Sequence, residues 1–137
     1  MAKATPKSKA LIALQKLARV SAADEHGYCR CVSCGQYEHW KDMDGGHFIP
    51  KGNSSFWALK KINVHPQCKK CNGFEMKFGT AQVSYTLWME RTYGAGKVAY
   101  MISCKRNPIK YYKADLVEMT TQWNNEIKEH LERIGEA

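Results

Sequence analysis

Two cysteine pairs, Cys31-x-x-Cys34 and Cys68-x-x-Cys71, enclose a stretch that holds His47 and Asn63, and Asn72 follows the last thiol directly. Each Cys-x-x-Cys turn can aim two thiolates at one ion, and two such turns complete a tetrahedral set of four sulfurs, the closed coordination of structural zinc. A catalytic zinc keeps one position for water, so a four-cysteine site holds backbone together and leaves bond breaking to other groups. Two disulfides are the competing use of these thiols. The leading residues MAKATPKSKALIALQKLARV speak against that: they are basic, and Gln15 and Lys16 cut the apolar run ALIAL too short for a signal-peptide core or a membrane span. A reducing cytoplasm is the expected location, and there paired thiols usually serve a metal. Cys29 could exchange into the site, although Cys29-x-Cys31 is a poorer chelating turn, and Cys104 reads as packing.

The charge pattern points to a polyanion. The 137 residues carry 21 Lys and Arg against 13 Asp and Glu, a net charge of +8. Solubility alone would not gather the cations, yet Lys51, Lys60, Lys61, Lys69, Lys70 and Lys77 all lie within or beside the bracketed region, among Phe48, Phe56, Trp57, Phe74 and Phe78. Such a surface suits a phosphate backbone, with counterion release supplying affinity, so DNA is the expected partner and these six lysines its contacts. No basic amphipathic segment of convincing length favours a membrane surface.

The elements that must position these residues read as an α+β chain in three stretches. Residues 1–27 form a basic helix (7–20, with Leu11, Leu14 and Leu17 or Ala18 on one side) and a leading turn. Residues 28–79 form the small zinc-stabilised core, and residues 80–137 a helical region with helices over about 80–93 and 114–134. Within the core, His47-Phe48-Ile49 fits one strand and Ile62-Asn63-Val64-His65 a second that Pro66 ends, and a short helix is expected to begin at about Asn72. On the 80–93 helix, Val83, Leu87 and Trp88 are the expected apolar face. The last helix carries a stripe of Leu116, Met119, Trp123, Ile127, Leu131 and Ile134, which either packs inside the chain or forms a dimer seam.

Strand, loop, strand and helix, with a histidine on the first strand and an asparagine at the helix start, resembles the ββα-metal (HNH) nuclease motif. The resemblance implies phosphodiester hydrolysis, which needs a base to take a proton from water and a cation to offset charge building on the phosphate oxygens. It assigns His47 as general base and Asn72 as ligand of a hard divalent ion, Mg²⁺ or Mn²⁺. Asn63 is the middle letter, an amide able to hydrogen-bond across the ββ loop and hold the His47 ring in line.

The strings GYCRCVSCG, HWKDMDGGHFIPKGN and NVHPQCKKCNGF, with the flanking helices, are similar to the lambdoid-phage NinG (Rap) recombination endonucleases over nearly the whole chain. That resemblance implies an enzyme cutting branched recombination intermediates, Holliday junctions and D-loops, in the cytoplasm of the bacterial host. It supports Cys31, Cys34, Cys68 and Cys71 as zinc ligands, with His47 and Asn72 in the roles above. Many HNH sites place a metal-binding acid directly before the histidine, but Gly46 stands there; Asp44 and His65 are the nearest spare ligands. Two cuts related by two-fold symmetry suggest a homodimer. The alternative reading, from a different class, is a zinc-ribbon module that recruits nucleic acid or a recombination protein without cutting.

Overall fold

A computed structural model describes residues 4–137 and shows an α+β chain with seven helices and two small two-stranded sheets among them. Residues 1–3 of the expected first stretch lie outside the described residues. Helix α1, Pro6–Ala22, begins where Pro6 supplies a fixed φ and Thr5 and Ser8 form a reciprocal capping box, Ser8 N–H to Thr5 Oγ1 at 3.0 Å and Thr5 N–H to Ser8 Oγ at 2.9 Å. Its Ala10, Ala13, Leu14, Leu17 and Val20 recur at helical spacing and are buried.

A hairpin of β1, Tyr28–Arg30, and β2, Tyr37–His39, follows α1, and its turn carries the first cysteine pair. The second sheet pairs β3, Met43–His47, antiparallel with β4, Val64–Cys68, in the register Asp44 opposite Gln67 and His47 opposite Val64. The long connection holds the short helix α2, Ser55–Ala58. Both strands differ from the sequence expectation. The first comes earlier and ends at His47, while the second starts later and runs through Pro66, which is tolerated because β4 has a ladder on one side only.

The helical turn α3, Lys69–Asn72, ends at the asparagine expected to begin a helix, and α4, Phe74–Phe78, follows Gly73. Helix α5, Ala81–Tyr93, buries Ala81, Tyr85 and Met89, whereas Val83 and Leu87, expected on the apolar face, are exposed. Gly94, at φ +94°, stops α5, but α6, Ala95–Ser103, starts at once, an additional helix to the two expected in this region.

Helix α7, Lys113–Arg133, lays Leu116, Trp123 and Ile127 against α1, with Ile134 just beyond its end. The stripe considered as a dimer seam is therefore covered by the chain's own first helix. At the far end the Arg133 guanidinium donates to the carbonyls of Val20 and Ala23, both at 3.1 Å, at the C-terminus of α1, where the Val20 carbonyl also accepts from the Ala23 N–H. One core joins α1 and α7 to β1, Met43 and β4, and a second joins Val32, Phe48, Ile49 and Trp57 to α5 and α6. The β3–β4 ribbon lies where the two cores meet. Gly45 allows this, since a Cβ there would lie 2.6 Å from the Gln15 Cα of α1. No helix of the described residues is long and apolar enough to cross a membrane.

Candidate metal centre and active site

The two Cys-x-x-Cys turns converge. Their four Sγ atoms all lie within 4.8 Å of one another, and Cys34 Sγ stands 3.8 Å from Cys68 Sγ, matching the roughly 3.8 Å edge of a tetrahedron built on Zn–S bonds of about 2.3 Å. Gly35, at φ +77°, turns the chain just after Cys34. The knuckles are tied together by Val32 N–H to Pro66 C=O at 2.9 Å and by Gln67 Nε2 to Ser33 Oγ at 2.9 Å. Burial pushes the Cys68 and Cys71 thiols up, a penalty on the thiolate that a coordinated cation removes. Cys29 stays outside the cluster, and burial pushes its thiol up to about 11.

His47 closes β3 with a half-buried ring. Its Nε2 lies 2.9 Å from the Ala58 carbonyl, which can only accept, so Nε2 carries the hydrogen and Nδ1 is the basic nitrogen of the neutral ring. Burial lowers its pKa below the ordinary 6.5; the Ala58 bond opposes this and the Lys51 charge adds to it. The carbonyl is held by the loop. Ser54 Oγ caps α2 by accepting from Trp57 N–H at 3.1 Å. Asn63, fully buried, accepts from Ile49 N–H at 2.8 Å and donates to the carbonyls of Ile49 and Trp57 at 2.9 and 3.1 Å. It thus braces both sides of the connection that presents Ala58, acting on the ring through the loop.

Asp44 and Asn72 meet at the other end of β3. Asp44 Oδ2 accepts from Asn72 Nδ2 at 3.1 Å and Oδ1 from Lys69 Nζ at 2.9 Å, beside a cavity of about 200 Å³ that Gln15, Arg19 and Lys41 also line. A hard divalent ion that keeps most of its waters needs only one or two protein oxygens; for Asp44 and Asn72 to supply them, Lys69 would have to leave the carboxylate and the Asn72 amide, whose NH2 faces Asp44, would have to turn its carbonyl inward. Arg19 at this cavity donates to the carbonyls of Gln15, Trp40 and Met43. His47 is not part of this cluster: three residues along a strand put it on the opposite face from Asp44 and about 10 Å further on.

At the position directly before His47, a Cβ on Gly46 would collide with Gln67 Oε1, so an acid there would require the Gln67 side chain to shift. His65 is also away from the Asp44 cluster. Tyr85 donates to the Gly46 carbonyl at 2.8 Å and so accepts from His65 Nδ1 at 3.0 Å, leaving His65 Nε2 to accept from the Tyr93 hydroxyl at 2.9 Å. Both ring nitrogens are taken, and burial pushes the His65 pKa down to about 4, so it stands as a neutral link in an aromatic cluster rather than as a metal ligand.

The six lysines divide. Lys61 is bound to Glu126 at 2.6 Å and Lys69 to Asp44, while Lys60 sits 4.5 Å over the Phe56 ring. Lys51, Lys70 and Lys77 are exposed with no ion pair among the described residues. Sequence reasoning passed over Arg19, Tyr85 and Gln67. Arg19 lies on the polar side of α1 with Gln15 and Lys16, which gives no sign of its burial; Tyr85 lies midway in the four-residue repeat Ala81, Tyr85, Met89, a signal that was readable; Gln67 has none.

Neither a curated protein nor a solved structure matches the chain. The family model described as the bacteriophage lambda NinG protein matches residues 4–133, and the chain belongs to that family.

Proposed function

We propose that the chain is a zinc-stabilised DNA endonuclease of the HNH type that depends on Mg²⁺ or Mn²⁺ and cuts branched recombination intermediates such as Holliday junctions and D-loops inside the bacterial host. The observation that carries this reading is the His47 ring, anchored through Nε2 to Ala58 with Nδ1 as its basic nitrogen and a lowered pKa. Nδ1 takes a proton from the water that attacks phosphorus, and the P–O bond to the leaving sugar oxygen breaks. A divalent ion would offset the charge that develops on the phosphate and leaving oxygens; for Asp44 and Asn72 to hold it at the phosphate His47 serves, DNA binding would have to bring the two ends of β3 closer than they stand here. Lys41 and the exposed lysines hold the flanking phosphates. The four thiolates keep the frame and take no part in bond breaking.

Two cuts across a four-way junction call for two chains, and a homodimer supplies them. With the α7 stripe packed on α1, the shared surface lies elsewhere. A second reading has one observation in its favour: Lys69 occupies the Asp44 carboxylate, as expected of a zinc-ribbon module that binds DNA or a recombination protein without cutting. Incubation with labelled linear duplex and four-way junction, with and without Mg²⁺, separates the two. Junction cleavage that mild EDTA stops and added Mg²⁺ restores, with zinc retained throughout, supports the nuclease; binding without cleavage under every metal condition supports the module.

A further inference from the structure

A groove of about 580 Å³, within the range of small-ligand pockets, opens among α1, the β1–β2 hairpin, β4, α5 and α7, away from the Asp44 cluster. Its walls are aromatic. Tyr28, Tyr37 and Tyr93 are 39%, 45% and 40% exposed, and Trp88 packs 4.6 Å from the His65 ring at the groove's inner side. Two cations and two carboxylates stand at the same groove: Arg30 is stacked 4.9 Å over Tyr37, whose hydroxyl donates to Asp24, and Lys61 holds Glu126 Oε1, so Arg30 is the cation without a carboxylate bound to it. Glu126 Oε2 is buried without a hydrogen-bond partner among the described residues, an acceptor in the wall that lacks a donor.

We propose that this groove receives one unpaired nucleobase from branched DNA, stacked on the Trp88–Tyr93 wall with Arg30 and Lys61 beside its phosphates. The inference rests on the reading of the chain as a DNA-binding protein and names the feature of the substrate that it selects. Aromatic faces accept any base because every base has a π-face, and fixed cations beside them suit the backbone on either side. A paired base is stacked within its own helix and cannot enter, whereas bases at a branch point are released at low cost. The groove is also coupled to the other site. His65 in its wall is bonded to Tyr85, whose hydroxyl holds the carbonyl of Gly46, the peptide directly before His47.

The test is a binding cycle on the full-length zinc-loaded protein without Mg²⁺, so that nothing is cut. Anisotropy gives Kd for a duplex with a one-nucleotide adenine bulge and for the same duplex with an abasic residue in the bulge. The wild type should bind the base-containing bulge about tenfold more tightly, the range that stacking of one base gives. Trp88→Ala should remove the difference, and Trp88→Phe should retain most of it, with zinc content and circular dichroism reporting the fold of each. Equal affinity of the wild type for both bulges overturns the proposal, as does a full preference in a folded Trp88→Ala. Because no bond is broken, a chain that prefers the bulged base yet never cuts refutes the nuclease alone, and one that cuts junctions without this preference refutes the groove alone.

Discussion

The Ala58 carbonyl accepts from Nε2 of His47 at 2.9 Å, and this single bond decides which ring nitrogen is basic. Because burial and Lys51 outweigh that bond and lower the pKa, the neutral ring persists below pH 6.5. The acid limb of the pH–rate profile should therefore lie below 6.5, with activity falling only as the pH drops through the lowered value. Lys51→Ala removes a positive neighbour and should move that limb upward. A limb above 6.5 in the wild type would assign the titrating group elsewhere.

Asn63→Ala should lose about 2–4 kcal/mol in urea unfolding, since three hydrogen bonds go and the buried Ile49 peptide loses its partner. The folded fraction should also cut more slowly, because the loop no longer fixes Ala58. A loss below about 0.5 kcal/mol would mean that water replaces the amide.

Much of this site is readable in the sequence, because strong local rules govern it. Cys-x-x-Cys spacing forces two turns toward one ion, and the Leu116-to-Ile134 stripe forces a buried helix face. The strand limits are less legible. Residues 43–47 contain two glycines and an aspartate, a composition that reads as loop, and they pair only because α1 and β4 cover them. On α5 the hydrophobicity of Val83 and Leu87 misleads, while the less apolar Tyr85 is buried because His65 and the Gly46 carbonyl satisfy its hydroxyl. The separation of Asp44 from His47 follows from strand alternation once the strand is placed, and no local signal places it.

The Asp44–Lys69 pair predicts a competition between lysine and metal. With DNA saturating, Lys69→Met should lower the Mg²⁺ concentration for half-maximal cleavage, and Asp44→Asn should raise it about tenfold or more. If neither variant moves the Mg²⁺ dependence, the ion is held by other groups.

His65 links stability to pH. Its folded pKa of about 4 lies below the unfolded 6.5, so its contribution is fully present above pH 6.5 and is lost as the pH falls from there toward 4. Between pH 7 and pH 5 it should account for roughly 2 kcal/mol of lost stability. Urea unfolding at both values, compared with His65→Asn, isolates it: the variant should be less stable at pH 7 and show a shallower loss on acidification. Parallel losses in the two proteins would show that carboxylates or thiolates dominate.

The central claim is that His47 cuts and the four cysteines only hold the frame. Single-turnover cleavage of a four-way junction by His47→Ala, with junction affinity and zinc content measured on the same sample, tests it most directly. The account predicts a rate about 10²–10⁴-fold below wild type with binding and one zinc per chain retained. Wild-type cleavage by that variant, or a loss of zinc that accompanies the loss of activity, would contradict it.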